Sequence, residues 1–279
     1  MRGIAARARK ERFDTIGGML DALWKYRGFV LASVRREFDA RYRVAVLGGV
    51  WAILQPLAQV AVYTLVLSEV MRARLPGSES RFAYGIYLCA GILTWGLFTE
   101  IVTRCTGVFV ENANLLKKLA FPRICLPSIA VCSSVVNFAI VFALFLVFLI
   151  ATGNFPGPTL LAVVPLVVLQ ILLATGLGVL AGVANTFYRD VAQGIAIVMQ
   201  FWFWLTPIVY PLAVVPERFQ PLILGNPMTA IAQAYQRVFV AHAWPDWSQL
   251  LPVTVLACLA VLGAMHFFRA HAGEMVDEL

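Results

Sequence analysis

The sequence predicts an all-α integral membrane protein with six transmembrane helices. Of its 279 residues, 61% are hydrophobic and only 13% are charged, and the mean hydropathy is +0.81. Soluble domains carry about a quarter charged residues, so this chain has too little polar surface to cover a soluble core. Long apolar runs recur along it without the alternation typical of membrane strands. Each run approaches the roughly 20 residues that cross a bilayer as a helix.

The predicted spans follow directly from these runs, at approximately 46–70, 83–103, 124–151, 160–184, 192–210 and 250–268. Another apolar region, 214–240, is interrupted by three prolines and Gly225. Its pieces are too short to cross, so we expect re-entrant or interfacial helices between the fifth and sixth spans, on the outer side.

The distribution of basic residues predicts the orientation. Residues 1–45 hold eleven of the 22 Lys and Arg residues. With both termini in the cytoplasm, 17 of the 22 face inward, as the positive-inside rule favours. The net charge of +7 is then a topology signal and an attraction to anionic lipid, with no need for nucleic acid.

The segment before the first span, residues 1–45, is expected to be separate from a transmembrane domain of residues 46–279. Leu23, Val30, Val34 and Phe38 form an apolar stripe, and most basic residues face elsewhere. This pattern predicts an amphipathic helix in the inner headgroup layer, and a solvated basic tail is the alternative. The residues assigned to this interface are Trp24, Arg35, Arg36 and Phe38.

The loop ENANLLKKLAFPR, residues 111–123, separates the second and third spans. Leu115, Leu116 and Leu119 recur at helical spacing, which predicts an amphipathic helix over about 112–121, ended by Pro122. The leucines could enter a groove on a partner protein. Alternatively, the helix could lie on the headgroups, with its lysines serving the positive-inside rule.

The sequence offers no catalytic, metal or cofactor site. The five cysteines form no CxxC pair, the three histidines lack metal-ligand spacing, and no phosphate-binding loop motif occurs. Glu69, Glu100 and Arg104 all lie toward the ends of their predicted spans. An ion-coupled transporter usually has an ionisable residue at mid-membrane. We therefore expect a non-enzymatic transport subunit that has no energy source of its own.

Two spans carry side chains suited to sugars. Gln55 and Gln59 share a helical face in the first span, although they could instead join helices to each other. The fifth span contains FWFW, residues 201–204, half-way along, where no membrane interface explains tryptophan. Residues 201, 204, 205 and 208 share one face and Trp202 lies away from it. Ordinary packing is the alternative for all of these aromatics.

The outer region between the last two spans should open a short helix at Asn226 and Pro227, as N-cap and first helical residue. We expect about a dozen residues, with Ala230, Ile231, Ala234 and Tyr235 inward and Gln236 accessible from outside. This helix is predicted to cap the transmembrane region without crossing it.

Five stretches, in the same order along nearly the whole chain, resemble the permease subunits of ABC exporters for O-antigen, teichoic acid and related polysaccharides. They are RREFDARYRVAVLGGVWAILQP, LLKKLAFPR, FYRDV, LTPIVYP and NPMTAIAQAYQR, which begin at residues 35, 115, 187, 205 and 226. Capsule-exporting relatives usually lack the Phe-Pro-Arg and Arg-Asp forms, which favours O-antigen.

The resemblance implies a homodimer with a central pore in the bacterial cytoplasmic membrane, and lipid-linked polysaccharide as cargo. Two copies of a separate ATPase bind ATP and Mg, and this chain binds no cofactor. Drug or small-lipid permeases share the architecture and are the alternative, as are capsule and teichoic-acid exporters. A membrane-embedded sugar transferase would need an acid or histidine cluster at one membrane face, and the sequence shows none.

The resemblance also assigns residues to three roles. The ATPase-coupling set is Asn114, Leu115, Leu116, Lys117, Lys118, Leu119, Phe121, Arg123, Arg189 and Asp190. Asp190 could in addition be the N-cap of the fifth span. The polysaccharide pore is assigned to Gln55, Gln59, Tyr63, Phe201, Trp204 and Ile208, and the periplasmic gate, over about 214–240, to Asn226, Pro227 and Tyr235.

Overall fold

The computed structural model describes residues 16–43, 58, 82–118 and 122–278, and the regular elements in those ranges are helices. Apart from residue 58, the predicted first span lies outside the described residues, and so do its Gln55, Gln59 and Tyr63. Leu119 and Phe121 of the coupling set lie outside them as well.

The elements follow one another with short connections. The helices are α1 (Ile16–Lys25), α2 (Arg27–Arg43), α3 (Ala83–Glu111), α4 (Ala113–Lys118), α5 (Cys125–Ala151), α6 (Val163–Phe187), α7 (Asp190–Trp204), α8 (Gln220–Leu224), α9 (Pro227–Val240), α10 (Trp247–His271) and α11 (Glu274–Glu278). Single 3-10 turns occupy Gly157–Ala162, Leu212–Val214 and Glu217–Phe219.

Four of these helical stretches are long and apolar enough to cross a membrane: α3, α5, Gly157–Phe187 and α10. They confirm the predicted second, third, fourth and sixth spans. The boundaries agree within a few residues except at α3, which continues to Glu111 rather than ending near residue 103. The N-terminal end of α5 and the C-terminal ends of α6 and α10 lie beside the C-terminal half of α3.

The prediction of a continuous helix over 192–210 is wrong in its extent. Helix α7 has 15 residues and ends at Trp204, and residues 205–211 follow without regular structure. Pro207 and Pro211 explain the early end. A proline offers no backbone N–H to a helix, and its ring disfavours helical geometry in the residue before it.

The core forms where α3 packs against α6, and α6 packs against α10. Small residues permit the close approach: a Cβ at Gly176 would lie 2.7 Å from atoms of Ala260 on α10. At Gly182 a Cβ would collide with the Cys105 carbonyl oxygen on α3. Buried amides also join these helices, since Gln170 Nε2 donates to the Thr94 carbonyl oxygen at 2.6 Å.

Two ends of the bundle can be distinguished. The proximal end holds residues 112–118, 122–124 and 187–190 and helix α11, and there Phe109 stacks on Phe268 with centroids 5.7 Å apart. The distal end holds residues 152–156, 205–226 and 241–246. The long helices run alternately between these ends.

The apolar stripe predicted before the first span exists, but it packs on protein. Val30 and Val34 are buried in a cluster with Cys125 at the start of α5, and Leu23 and Phe38 are half-buried beside them. The stripe therefore packs on α5, and the position of this helix in the inner headgroup layer stays a prediction. The outward face of α1 and α2 instead carries Trp24, 70% exposed, and other exposed side chains, among them Leu31, Arg35 and Arg36.

Candidate functional site

The predicted loop helix is present as α4 at the proximal end. The turn between α3 and α4 is held by Asn112, whose Nδ2 donates to the Val108 carbonyl oxygen at 2.8 Å and whose carbonyl oxygen accepts from the backbone N–H of Leu115 at 3.0 Å. Leu115 is 40% exposed, whereas Leu116 packs against the core. Neighbouring leucines of the motif therefore face different surroundings.

The other polar members of the coupling set lie at the same end. Asn114 and Lys117 are exposed, as are Arg189 and Asp190 in the turn between α6 and α7. Arg123 is half-buried and already engaged within the chain. The exposed groups form a mixed polar surface that a soluble partner could reach.

Asp190 is not the N-cap of α7. It is the first helical residue, and Arg189 occupies the capping position without a side-chain capping bond. Asn185 on α6 supplies the cap instead, because its Oδ1 accepts from the Ala192 backbone N–H at 3.1 Å. The carboxylate of Asp190 still lies in the first turn, where the helix dipole favours negative charge.

The carboxy-terminal helix α11 also belongs to the proximal end, although no sequence motif indicates it. Met275 is 1% exposed and joins the main core, and α11 contacts both α4 and α6. The available signal was the apolar pair Met275 and Val276 between acidic residues.

A polar network links α2 to α3 and α5. Arg104 forms an ion pair with Glu37, and its guanidinium lies 3.7 Å from Glu100 Oε1. Ser133 Oγ donates to Glu37 Oε2 at 2.7 Å, and Asn137 Nδ2 donates to Glu100 Oε2 at 2.8 Å. Each charged group therefore has a partner from another helix.

This network corrects the expectation that ionisable residues occur only toward span ends. Because α3 continues to Glu111, Glu100 lies 11 residues before its end and close to its midpoint. The carboxylate faces Arg104 and Asn137 rather than an open path. No group of three His, Cys, Asp or Glu side chains suited to a metal ion occurs in the described part of the chain.

Helix α7 presents an exposed aromatic face. Phe201 is 68% exposed and Trp204 is 61% exposed. Trp202 points the other way, with its ring centroid 5.3 Å from Phe98. The predicted division between residues 201 and 204 on one face and Trp202 on another is confirmed. Ile208 is fully buried, so its assignment to the same face is wrong, because the helix ends before it.

Side chains from α3 and α9 hold the non-helical residues 205–210, here named the 205–210 segment. Its carbonyl oxygens at Pro207 and Tyr210 each lie 2.9 Å from Tyr87 Oη, and Val209 accepts from Tyr84 Oη at 2.8 Å. Gln236 Nε2 on α9 also donates to Pro207. Buried irregular backbone needs hydrogen-bond partners from the protein, and these side chains supply them to three carbonyl oxygens of the segment.

The predicted start of α9 is confirmed. Asn226 caps it by accepting from the Met228 backbone N–H at 3.0 Å, and Pro227 is the first helical residue. Ile231, Ala234 and Tyr235 are buried, as expected. The expectation that Gln236 is accessible is wrong.

Gln236 is 5% exposed because its amide reaches the 205–210 segment. The exposed neighbour on α9 is Arg237. With 14 residues, α9 is about 21 Å long, too short to cross a bilayer.

Comparison with known proteins places this architecture among transport proteins. Residues 29–240 match the family model described as ABC-2 type transporter. The O-antigen export system permease protein RfbA of Myxococcus xanthus is 28% identical over 259 residues, which cover 92% of this chain and 97% of that protein. RfbA of Klebsiella pneumoniae is 26% identical over 76% of this chain and 80% of its own length. The polysialic acid transport protein KpsM of Escherichia coli is 22% identical over 73% and 78%.

Proposed function

This chain belongs to the ABC-2 type transporter family, and from that membership we propose that it is the transmembrane subunit of an ATP-driven exporter of lipid-linked polysaccharide. The preferred cargo is O-antigen, moved across the bacterial cytoplasmic membrane with both termini of the chain on the cytoplasmic side. The observation that carries the proposal is the match to an O-antigen export permease over nearly the full length of both chains.

The energy for transport comes from a separate ATPase, present in two copies, which docks at the proximal end. Leu115, Asn114 and Lys117 are exposed there and supply one apolar and two polar contacts. Leu116 anchors α4 to the core, so a force on the exposed side of α4 reaches the transmembrane helices. Arg189 and Asp190 form a smaller second contact. Lys118, Leu119, Phe121 and Arg123 remain predicted members of this surface.

Two copies of the chain enclose the pore, and the exposed aromatic face of α7 contributes to its wall. The rings of Phe201 and Trp204 offer flat apolar surfaces to sugar rings, because most of each side chain is exposed. Transport requires contacts that are weak and repeated, because a tightly held group would stall, as an ion does in too deep a site. Gln55, Gln59 and Tyr63 remain predicted members of the same wall.

A capsule-type polymer is the second candidate cargo. It is favoured by the similarity to KpsM, which is named for polysialic acid transport. Both candidates share the coupling surface and the aromatic face, so they differ in the polymer and its lipid anchor rather than in mechanism.

Deletion of the gene for this chain in its own host tests the proposal. We expect surface polysaccharide to be lost and lipid-linked polymer to accumulate inside the cell, with both effects reversed by the wild-type gene. Immunoblots with antisera to O-antigen and to capsule identify which polymer is affected. Unchanged surface O-antigen and capsule in the deletion strain would refute polysaccharide export.

A further inference from the structure

Asn226 contacts more elements than an N-cap requires. Its Oδ1 accepts from the Met228 backbone N–H and from Trp202 Nε1, the latter at 2.8 Å. Its Nδ2 donates to the Leu205 carbonyl oxygen at 3.2 Å and to Thr206 Oγ1 at 3.0 Å. A side-chain amide offers two donor hydrogens and two acceptor lone pairs, so every hydrogen-bonding position of Asn226 is used.

These bonds connect the end of α7, the 205–210 segment and the start of α9. Trp202 carries the connection into the core, since its ring packs on Phe98 and lies 6.4 Å from Trp95. Thr206 is fixed as well, because its hydroxyl donates to the Trp202 carbonyl oxygen at 2.9 Å. Its oxygen is therefore available to Asn226 as an acceptor.

The connection lies directly behind the aromatic face. Phe201 directly precedes Trp202 and Trp204 lies two residues after it. Both are exposed, whereas Trp202 points to Asn226. A displacement of the last turn of α7 must either carry α9 with it or break these bonds.

We infer that Asn226 is a positioning residue that locks the end of α7 to α9, so that the aromatic face and α9 move as one unit. The inference rests on the proposed function for its link to transport, while the lock itself is a property of this chain. When the hydrogen bonds of Asn226 are lost, the 205–210 segment opens without movement of α9. A displacement of the aromatic face then no longer moves α9, and export falls.

Three substitutions each remove part of the lock. Asn226→Asp keeps the N-cap, because Asp caps helices as well as Asn. It removes the Nδ2 donor, so the Leu205 carbonyl oxygen and Thr206 Oγ1 lose their hydrogen bonds. Trp202→Phe removes Nε1 and keeps an aromatic ring against Phe98. Thr206→Val keeps the side-chain shape and removes the acceptor. Gln220→Ala is the matched control, since it removes another distal bond from a side chain to a carbonyl, that of Gln220 to Val215.

Opening of the segment can be measured by thiol labelling. Ile208→Cys places a thiol at a fully buried position of the 205–210 segment, in a background with the exposed Cys132 and Cys258 replaced by Ser. The protein is labelled with a small maleimide in lipid nanodiscs, and thermal melting checks that each variant is folded. Export and co-purification of the ATPase are measured in cells without the reporter.

The inference predicts that each of the three variants raises the labelling rate roughly tenfold, the change in an opening equilibrium expected for one buried hydrogen bond. Gln220→Ala should label at the background rate. Surface polysaccharide should fall in the three variants while the ATPase still co-purifies. The double variant Thr206→Val with Asn226→Asp should label no faster than Asn226→Asp alone, because both remove the bond from Asn226 Nδ2 to Thr206 Oγ1.

Unchanged labelling in all three variants, or an equal rise in Gln220→Ala, would overturn the lock. Faster labelling with normal export would overturn its coupling to transport. If the wild-type protein exports no polysaccharide, the proposed function fails, and the labelling rates still decide the lock independently.

Discussion

Helices α3 and α7 are both apolar, yet the chain treats them in opposite ways. Of the 29 residues of α3, 18 are buried, whereas α7 buries only Met199 among 15. Helix α3 contacts α4, α5, α6, α7 and α9, and its Arg104 pairs with Glu37 on α2, so its own chain surrounds it. Helix α7 touches the bundle along one side and leaves its aromatic face uncovered. The comparison separates apolar residues that build the fold from apolar residues available to cargo, lipid or a second copy.

The largest expected difference is in stability, between alanine substitutions at a glycine enclosed against α3 and at a glycine on α7 with no neighbouring atoms. Gly182→Ala places a Cβ against the Cys105 carbonyl oxygen of α3, and we expect it to cost about 3 kcal/mol of stability. Gly194→Ala on α7 meets no atom within 4 Å and should leave folding intact. The stability of both variants is measured by the melting temperature and by the yield after detergent extraction. Equal stability of the two variants would show that α3 is not tightly enclosed.

The next largest difference in stability is expected between aromatic residues on the two sides of α7. Trp202→Ala removes ring contacts with Trp95 and Phe98 and a hydrogen bond to Asn226. Because Trp202 is only half-buried, we expect a loss of about 2 kcal/mol, below the range for a fully buried tryptophan. Phe201→Ala and Trp204→Ala remove exposed rings and should leave the melting temperature unchanged. Thermal melting of the three variants, purified in parallel, makes the comparison. A similar destabilisation by all three would mean that the outward face is packed in the folded protein.

The same reasoning applies to adjacent leucines of α4. Leu116→Asp introduces a charge into a core contact and should destabilise the protein by about 2 kcal/mol. Leu115→Asp alters an exposed position, so the protein should insert normally but lose its ATPase. Co-purification of the ATPase and melting temperature are measured together. Retention of the ATPase by Leu115→Asp would argue against docking through α4.

The smallest effect is expected at the start of α10. Asp246 caps this helix, and the Ser248 hydroxyl, donating at 2.7 Å, is the main cause that holds the pKa of Asp246 below its usual range. A lowered pKa means that the cap stabilises the folded state above about pH 4 and that this stabilisation is lost as the pH falls through the lowered value. The melting temperatures of wild type and Asp246→Ala should therefore differ slightly at pH 7 and converge below about pH 4. A constant difference down to pH 3 would contradict this account.

The sequence predicted well what depends on local pattern. Run length located four spans, and the Asn-Pro pair located the start of α9. Helical spacing separated Trp202 from Phe201 and Trp204, because that division is decided within a single turn of helix.

The errors arose where distant residues decide the outcome. The extent of α3 was underestimated because Glu37 and Asn137 provide partners for Arg104 and Glu100, and no local pattern shows those partners. Ile208 was assigned to an exposed face because the end of α7 was not foreseen. It is buried because Gly91 leaves room for it on α3. Gln236 was expected to be accessible, but it is buried and its amide donates to the Pro207 carbonyl oxygen. A buried amide is tolerated when it has such a hydrogen-bond partner.

The proposed transport function depends most directly on contact between the aromatic face of α7 and the polysaccharide. A photo-crosslinking amino acid can replace Phe201 or Trp204, and for comparison Val147 on α5 or Leu259 on α10, which are also exposed and apolar. Cells exporting the polymer are irradiated, and the purified subunit is probed with antibody to the polysaccharide. We predict adducts of high mass from positions 201 and 204 and none from 147 or 259. Adducts from the α5 or α10 position, with none from α7, would contradict the account.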